Sequence, residues 1–509
     1  MSERTHDGPP PVPPIAAPLA GSIDGEARAG AAPAAVAEVA RSRRGLSASA
    51  WAWVLMQGGR DPWVILVTIY IFAPYYVTTV VGGGDPARMA QGQAIIANTG
   101  TLYGLFVALT APVLGAMVNG LGPRKPLLAL CVAVMAPLMA ALWWIEPGGA
   151  GLPAWVYPVD FAITAVLINY ADMLHNSLLT RAASPREAPH ASGAALAAGN
   201  FFSVLSLVLV LWAFALPGKV DWPLVPHAPL FGLSSAKHEP DRIVGPISAI
   251  LLVLGAIPFF LLTPDEPRTT APLSGALRAG LGELRRTLGS LKRHRDLAVY
   301  LGARMLYTDG KTSILLFGGV YAAGVMGWHA LEMLAYGILL SIFAVGGGVL
   351  AGVADERLGP KRAIQLQIAA TFVIQLLLLG MSKTRILFFP YDVAAHPALW
   401  NGPLFRTLPE VVYLALGCGI AVSISGAYAS SRTLLTRLAP PDQIASFFGL
   451  YALSGTATMW LGSALVGLFT SLFGTLQAGF APISGLLVLG FLGMLFVRGG
   501  GRETAAVSA

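Results

Sequence analysis

Apolar stretches of about 18 residues or more recur twelve times along this chain, and a helix needs about 20 such residues to cross roughly 30 Å of hydrocarbon. They run over 61–81, 98–118, 127–145, 156–180, 194–216, 243–263, 298–324, 331–353, 363–382, 411–434, 446–472 and 480–497. In lipid every backbone N–H and C=O must find its partner within the protein, and evenly apolar segments of this length do so as helices. The expected fold is an all-α membrane protein with 12 transmembrane helices.

A soluble core cannot absorb this composition. The 509 residues are 55% hydrophobic and 12% charged, and soluble domains carry about twice that charged fraction. The 58 Gly and 37 Pro would break a soluble helical protein, whereas small residues let membrane helices approach and neighbours satisfy kinked backbone. The net charge of +7 raises the question of a nucleic-acid partner, and its placement answers it. With the N-terminus inside, about 23 of the 33 Lys and Arg fall on the cytoplasmic side, about 7 outside and 3 within spans, as the positive-inside rule expects. The cluster Arg285, Arg286, Lys292, Arg293 and Arg295 is a topology anchor beside anionic lipid. No nucleic-acid partner is expected.

Cys131 and Cys418 both fall inside spans, which indicates neither a disulfide framework nor a thiolate metal site. Residues 1–56 are Pro- and Ala-rich without a continuous apolar core, the pattern of a disordered cytoplasmic tail and not of a cleaved signal. The expected organisation is a tail over 1–56, a six-helix bundle over 57–263, a cytoplasmic linker over 264–296, a second bundle over 297–497 and a C-terminal tail over 498–509.

Internal similarity supports the division into halves. After the second span stands Gly115-Ala-Met-Val-Asn119-Gly-Leu-Gly122-Pro-Arg124-Lys125, and after the eighth Ala351-Gly-Val-Ala-Asp355-Glu-Arg357-Leu-Gly359-Pro-Lys361-Arg362. The fourth span ends Ser177-Leu-Leu-Thr-Arg181 and the tenth Thr433-Leu-Leu-Thr-Arg437. Parallel six-helix repeats place a solute site between the halves near the midplane.

These loop motifs resemble the signature of the major facilitator superfamily. Three further stretches are similar to its vacuole effluxer branch, the autophagy-related amino-acid exporters of fungi and their bacterial relatives. They are Asp61 with Ala73-Pro-Tyr75-Tyr76, Leu306-Tyr-Thr-Asp309-Gly310 with Gly318-Gly-Val-Tyr321, and Ser430-Ser431-Arg432 followed by Phe447-Phe448-Gly449-Leu-Tyr451. The resemblance covers roughly residues 57–497 and implies a secondary transporter that moves amino acids or related solutes by alternating access, functional as one chain. Asn119 stands where the first loop copy would have its acid, which weakens charge gating there, while the second copy keeps Asp355 and Arg357. Thr456 stands where the branch often has Lys.

A buried charge in lipid costs upward of about 2.5 kcal/mol, so intramembrane ionisable groups mark function or a partner. Asp61 opens span one; Asp160, Asp172 and His175 lie in span four; Arg304, Asp309 and Lys311 in span seven; Arg432 in span ten. In the superfamily these four spans line the central cavity. Asp309 is expected to be a proton or substrate-amine site with Arg432 as counter-ion or carboxylate clamp; a structural ion pair between spans seven and ten is the alternative. Lys311, two residues on, faces elsewhere. Asp172 and His175, spaced i, i+3, can share a groove suited to proton coupling; a histidine satisfied by Asp172 without a part in transport is the alternative. Asn176, Tyr307 and Tyr428 are assigned to the same pathway. Tyr70, Tyr75 and Tyr76 line the cavity or its outer gate, or Tyr75 and Tyr76 belong to an interfacial belt. Gly122, Arg124, Lys125, Asp355, Arg357, Gly359, Lys361 and Arg362 form the gating loops, with Asn119 between them.

Asp309-Gly310-Lys311-Thr312 imitates the tail of a phosphate-binding loop, but Met305 stands where that motif needs Gly and no soluble strand precedes it. No zinc-type spacing and no nucleophile elbow occur in a water-accessible segment. No enzyme activity, cofactor or metal is expected; the partners are a small polar solute, protons and the bilayer. Low charge and plain loops point to a bacterial inner membrane, with both termini cytoplasmic. The competing reading is a non-transporting receptor or scaffold, for which the low-complexity N-terminus and residues 383–410 are the candidate soluble segments.

Overall fold

The computed structural model describes residues 45–118, 122–184, 187–267, 291–439 and 444–498, with scattered positions between 275 and 289. Asn119, the tail up to residue 44, most of the linker and the tail from residue 499 lie outside the described residues. Helix α1 runs Ala48–Arg60 and continues to Val81 through π-helical turns over Val64–Tyr70 and Tyr76–Val81. There follow α2 (Pro86–Val118), α3 (Lys125–Ala141), α4 (Val156–Ser177), α5 (Ala188–Val210) and α6 (Val244–Leu262). The second set is α7 (Arg295–Met326), α8 (Ala330–Leu358), α9 (Pro360–Leu379) and α10 (Leu408–Leu438). It ends with α11 (Ile444–Thr456, resuming as Met459–Phe473) and α12 (Leu476–Phe480, resuming as Ile483–Leu495).

Ten of the described helices are long and apolar enough to cross a membrane. α4 and α7, of 22 and 32 residues, have the length as well, but their Asp, Arg, Lys and His residues keep them from that group. The expected count of twelve rests on these two. α1 begins at Ala48, before the expected boundary at 57: Ser47 caps it through the Ala50 amide, and Arg60 and Asp61, a polar edge in the sequence, lie within the span.

The helices pack as lipid requires, through small residues that let backbones touch. Gly59 of α1 and Gly255 of α6 sit so close that a methyl on either would press on the other's Cα at 3.0 Å. α2 lies along α11, where Gly104 meets the Trp460 backbone. Apolar side chains such as Leu102, Leu109, Leu261 and Val349 point outward and exposed, which in water would be a liability and in lipid is the solvated face.

The outer ends of the two helix sets meet. Tyr70 packs edge-on against Tyr336, ring centroids 6.1 Å apart, and a side chain on Gly319 of α7 would collide with the Ile69 carbonyl. Tyr75 donates to the Ile145 carbonyl at 3.0 Å and Tyr76 packs on Tyr157 with ring centroids 4.7 Å apart and planes tilted by 47°. These tyrosines are buried within the protein, so the interfacial-belt reading of Tyr75 and Tyr76 gives way to packing between helices. Toward the inner ends Asn176 and Arg432 are exposed and Asp172 is half exposed. Residues 385–390 form a two-stranded hairpin, Arg385–Ile386 against Phe389–Pro390, beside an aromatic cluster of Trp328, Tyr336, Phe405 and Tyr413.

Candidate functional site

Between α1 and α4 a polar chain crosses the first helix set. Arg60 donates to Gln57 Oε1 at 2.6 Å and to Asp172 Oδ1 at 2.7 Å, and Gln57 donates to both oxygens of Asp61 at 2.9 and 2.7 Å. Asp61 also packs on Gly199 of α5, where any side chain would strike its carboxylate. Arg60 escaped the sequence reading because it stood one residue outside the drawn span; a search for cations within one turn of each span edge would have found it.

His175 does not join Asp172: no hydrogen bond or ion pair links them among the described residues. Its ring stacks on Trp53, centroids 4.4 Å apart at 11°. Nε2 lies 2.9 Å from the Trp53 carbonyl, an acceptor only, so Nε2 carries the hydrogen. Trp53 Nε1 returns a bond to the His175 carbonyl at 2.8 Å. The i, i+3 spacing does put both residues on the face toward α1, but Arg60 claims the carboxylate and Trp53 the imidazole.

α7 presents two faces, as the two-residue offset of Asp309 and Lys311 requires. Asp309 points to α11, where the missing side chain of Gly462 lets its amide donate to Oδ2 at 2.8 Å; Oδ1 has no partner. Asp309 and Arg432 are not brought together. Ser431, one residue before Arg432, is the one turned to α7: Tyr300 bonds its carbonyl at 2.5 Å, and the hydroxyls of Tyr300, Tyr307 and Tyr451 lie 2.7, 3.0 and 3.2 Å from its Oγ. Arg432, about 100° further round the helix, is exposed without an ion pair among the described residues.

Lys311 is 0% exposed and its Nζ has no hydrogen-bond acceptor. It lies 3.8 Å over the Tyr428 ring and 5.0 Å from that of Tyr307, an aromatic setting that holds a cation through the ring faces. Arg304 donates to the Tyr451 carbonyl at 2.7 Å with its guanidinium 3.4 Å over that ring. Neither cation meets a carboxylate among the described residues.

In the gating loops the acidic partners come from outside the first motif. In the first copy, the amides of Arg124 and Lys125 donate to Asp265 at 2.8 and 3.1 Å. Arg124 reaches the Ser177 carbonyl at 2.6 Å and Glu266 at 3.8 Å, and Lys125 Nζ reaches the carbonyls of Phe260 and Thr263. Acids from the start of the linker thus stand in where the loop itself lacks one. Gly122 takes φ 69 at the turn. In the second copy Asp355, Arg357, Lys361 and Arg362 form no ion pair among the described residues. Gly359, at φ 80, caps α8 by donating to the Asp355 carbonyl. Nearby, the Ser184 amide and hydroxyl and the Ser47 amide bond Glu187, which holds its carboxyl below the usual range.

A family model described as "Vacuole effluxer Atg22 like" matches residues 192–504. Autophagy-related protein 22 of Cryptococcus neoformans is 28% identical over 210 residues, 41% of this chain and 35% of that protein. The same protein of Coccidioides immitis is 27% identical over 221 residues, 42% and 34% of the two chains. The chain thus spans about a third of the length of these curated relatives. They are fungal, which does not carry the expectation of a bacterial inner membrane. In fold the chain is similar to the nucleoside transporter NupG, with a TM-score of 0.59 at 11% identity over 89% of this chain and 100% of that one. It is also similar to a D-xylose-proton symporter, with a TM-score of 0.58 at 13% identity over 90% and 98%.

Proposed function

This chain belongs to the vacuole effluxer Atg22-like family, and from that membership we propose that it is a secondary transporter moving a small polar solute, an amino acid or a related compound, by alternating access. The halves pivot about the α2–α11 and α5–α8 packing, with both termini on the cytoplasmic side, efflux as the direction and a single chain as the working unit. Protons are the proposed coupling ion, with Asp309 as the carrier. A carboxyl group of α7 held by one amide of α11 changes its surroundings whenever these helices shift, which is what coupling a proton to movement demands.

The observation that carries this reading is Lys311. A buried lysine between two tyrosine rings, with no carboxylate beside it among the described residues, lacks a counter-charge that a solute carboxylate can bring. Arg432, exposed on the neighbouring helix, is a forked donor for the same group at the inner entrance. The test is release from proteoliposomes preloaded with an amino-acid mixture, with and without a pH gradient, read by mass spectrometry. Selective release that Lys311→Met abolishes is expected. Release with equal rates for amino acids and their carboxyl amides would sink the role of Lys311, and no release of any solute would sink the transporter reading.

A further inference from the structure

Asp160, near the loop end of α4, is 3% exposed, and neither of its carboxylate oxygens has a hydrogen-bond partner. Asp172 has Arg60, Asp61 has Gln57, and Asp309 has the Gly462 amide; Asp309 and Asp355 each leave one oxygen unpartnered, Asp160 both. One turn to either side of Asp160, on the same helix face, Tyr157 and Thr164 are fully buried and their hydroxyls also lack partners.

Across from them runs α1. Trp53 meets His175, Arg60 meets Asp172, Trp63 meets Phe161 and Phe72 meets Tyr157, an antiparallel register that brings Thr68 level with Asp160. The Thr68 hydroxyl is buried and unpartnered too, and it stands within the π-helical turns of Val64–Tyr70, a backbone form that recurs at functional sites. Every contact that spans the two helices uses at least one long side chain. Thr68 and Asp160, short side chains at about the same level, form no bond with each other.

Each unpaired buried hydroxyl costs free energy, and an uncompensated carboxylate costs far more. The surroundings offer nothing to neutralise it. The titratable groups facing this region are Tyr157 on α4 itself, Tyr76 on α1, packed at a tilt against Tyr157, and Tyr103 on α2, edge-on to Phe161 at 5.5 Å. Within its span α3 offers Cys131, and the nearest cation along α1 is Arg60, about 12 Å inward by helical rise and already engaged.

We infer that Asp160, with the hydroxyls of Tyr157, Thr164 and Thr68, forms a site for a small monovalent cation, H⁺ or Na⁺. π-helical turns recur at functional sites, and intramembrane acids mark ion pathways and proton relays in transporters. Tyr157, Phe72 and Tyr76 close the site toward the outer side, so the cation exchanges there when the outer ends part. The site's geometry carries this independently of solute transport, and an equilibrium experiment tests it separately.

Purified protein in lipid nanodiscs is titrated with sodium chloride against choline chloride at several pH values, read by thermal unfolding and by the infrared carbonyl band of protonated carboxylic acids. One expected result is a saturable sodium stabilisation that Asp160→Asn removes and Thr68→Val weakens about tenfold, the worth of one lost bond to a charged group. The other, without a sodium effect, is a protonated-carboxyl band that Asp160→Asn removes, which assigns the proton. If Asp160→Asn does not fold, Thr164→Val gives the same readings as weaker sodium binding or a shifted band. A sodium effect and a band that are both unchanged in the variants, or the absence of both in the unsubstituted protein, overturns the site.

Discussion

Arg60 Nη2 stands 2.7 Å from Asp172 Oδ1, and the internal repeat sets Lys311 over Tyr428 at the corresponding crossing. Counted back from the matched Ser177 and Thr433, Asp172 and Tyr428 occupy the same place in their helices. The first half thus pairs its cation with a carboxylate of its own, and the second half offers only an aromatic face. Self-pairing makes the first crossing a structural clamp and leaves the second with a charge to share.

Asp172→Asn leaves the Arg60 guanidinium, whose side chain is 4% exposed, with Gln57 and the more distant Asp61 carboxylate at 3.6 Å, while Asp172 is 47% exposed and partly screened. The loss of stability should be about 1–3 kcal/mol, below the range for fully buried pairs. Arg60→Met in the same background should recover part of it. A double-mutant cycle by unfolding in detergent checks this, and a coupling energy near zero would show the clamp to be geometry without consequence.

His175 should be silent in the pH profile of transport. Its imidazole is spent on the Trp53 carbonyl and stacked on the Trp53 ring. His175→Gln therefore lowers stability by about 1–3 kcal/mol through the lost stack and bond and leaves the profile in place. A profile that moves with this substitution would restore the proton-coupling role suggested by its spacing from Asp172.

Much of this was legible in the sequence, and the limit is physical. Lipid forces long apolar helices, so the spans and the family could be read directly, and the cost of buried charge singled out α1, α4, α7 and α10. Helical periodicity gives the face a residue occupies but not the helix that face meets. Hence Asp309 was matched with Arg432 when its bond is to the Gly462 amide, and His175 with Asp172 when Trp53 holds it. The loops misled for another reason. Asn119 removed the acid from the local motif, and Asp265 and Glu266, distant in sequence, supply carboxylates that no motif spacing reveals.

Asp265 caps the amides of Arg124 and Lys125 at the start of α3, where Arg124, the capping residue, offers no side-chain bond of its own. Asp265→Ala should cost about 0.5–2 kcal/mol, the worth of a helix cap. It should also loosen the link between the first gating loop and the linker, raising the reactivity of a cysteine placed at Ser177 toward a membrane-impermeant thiol reagent. Unchanged labelling would mean that this contact does not hold the inner loops.

Glu187 links Ser47 at the start of α1 to Ser184 beyond α4. The bonds from Ser184 and Ser47 depress its carboxyl, so the stabilisation is present above the unfolded value of about 4.3 and is lost as pH falls through the folded value. Hydrogen exchange at the Ser47 amide should therefore be protected near neutrality, quicken only as pH falls below the ordinary glutamate range once corrected for intrinsic rates, and be fast at all pH in Glu187→Gln. Protection that persists at low pH would mean that the amide is held by something other than this carboxylate.

Lys311→Met separates structure from function at the second crossing. A buried ammonium without a carboxylate is a net cost that the faces of Tyr428 and Tyr307 offset only in part, so its replacement by an apolar chain of similar length should leave stability unchanged or raise it by about 1 kcal/mol. A structural cation behaves the other way, as Arg60 does, where removal breaks a pair. If the counter-charge arrives with the solute, the same substitution should lower affinity for a carboxylate-bearing solute by about 10- to 100-fold, the worth of a charge-assisted bond. It should leave affinity for the corresponding amide untouched. Unfolding and solute binding measured on one preparation decide between the two, since a variant that is destabilised yet binds normally assigns Lys311 to the scaffold.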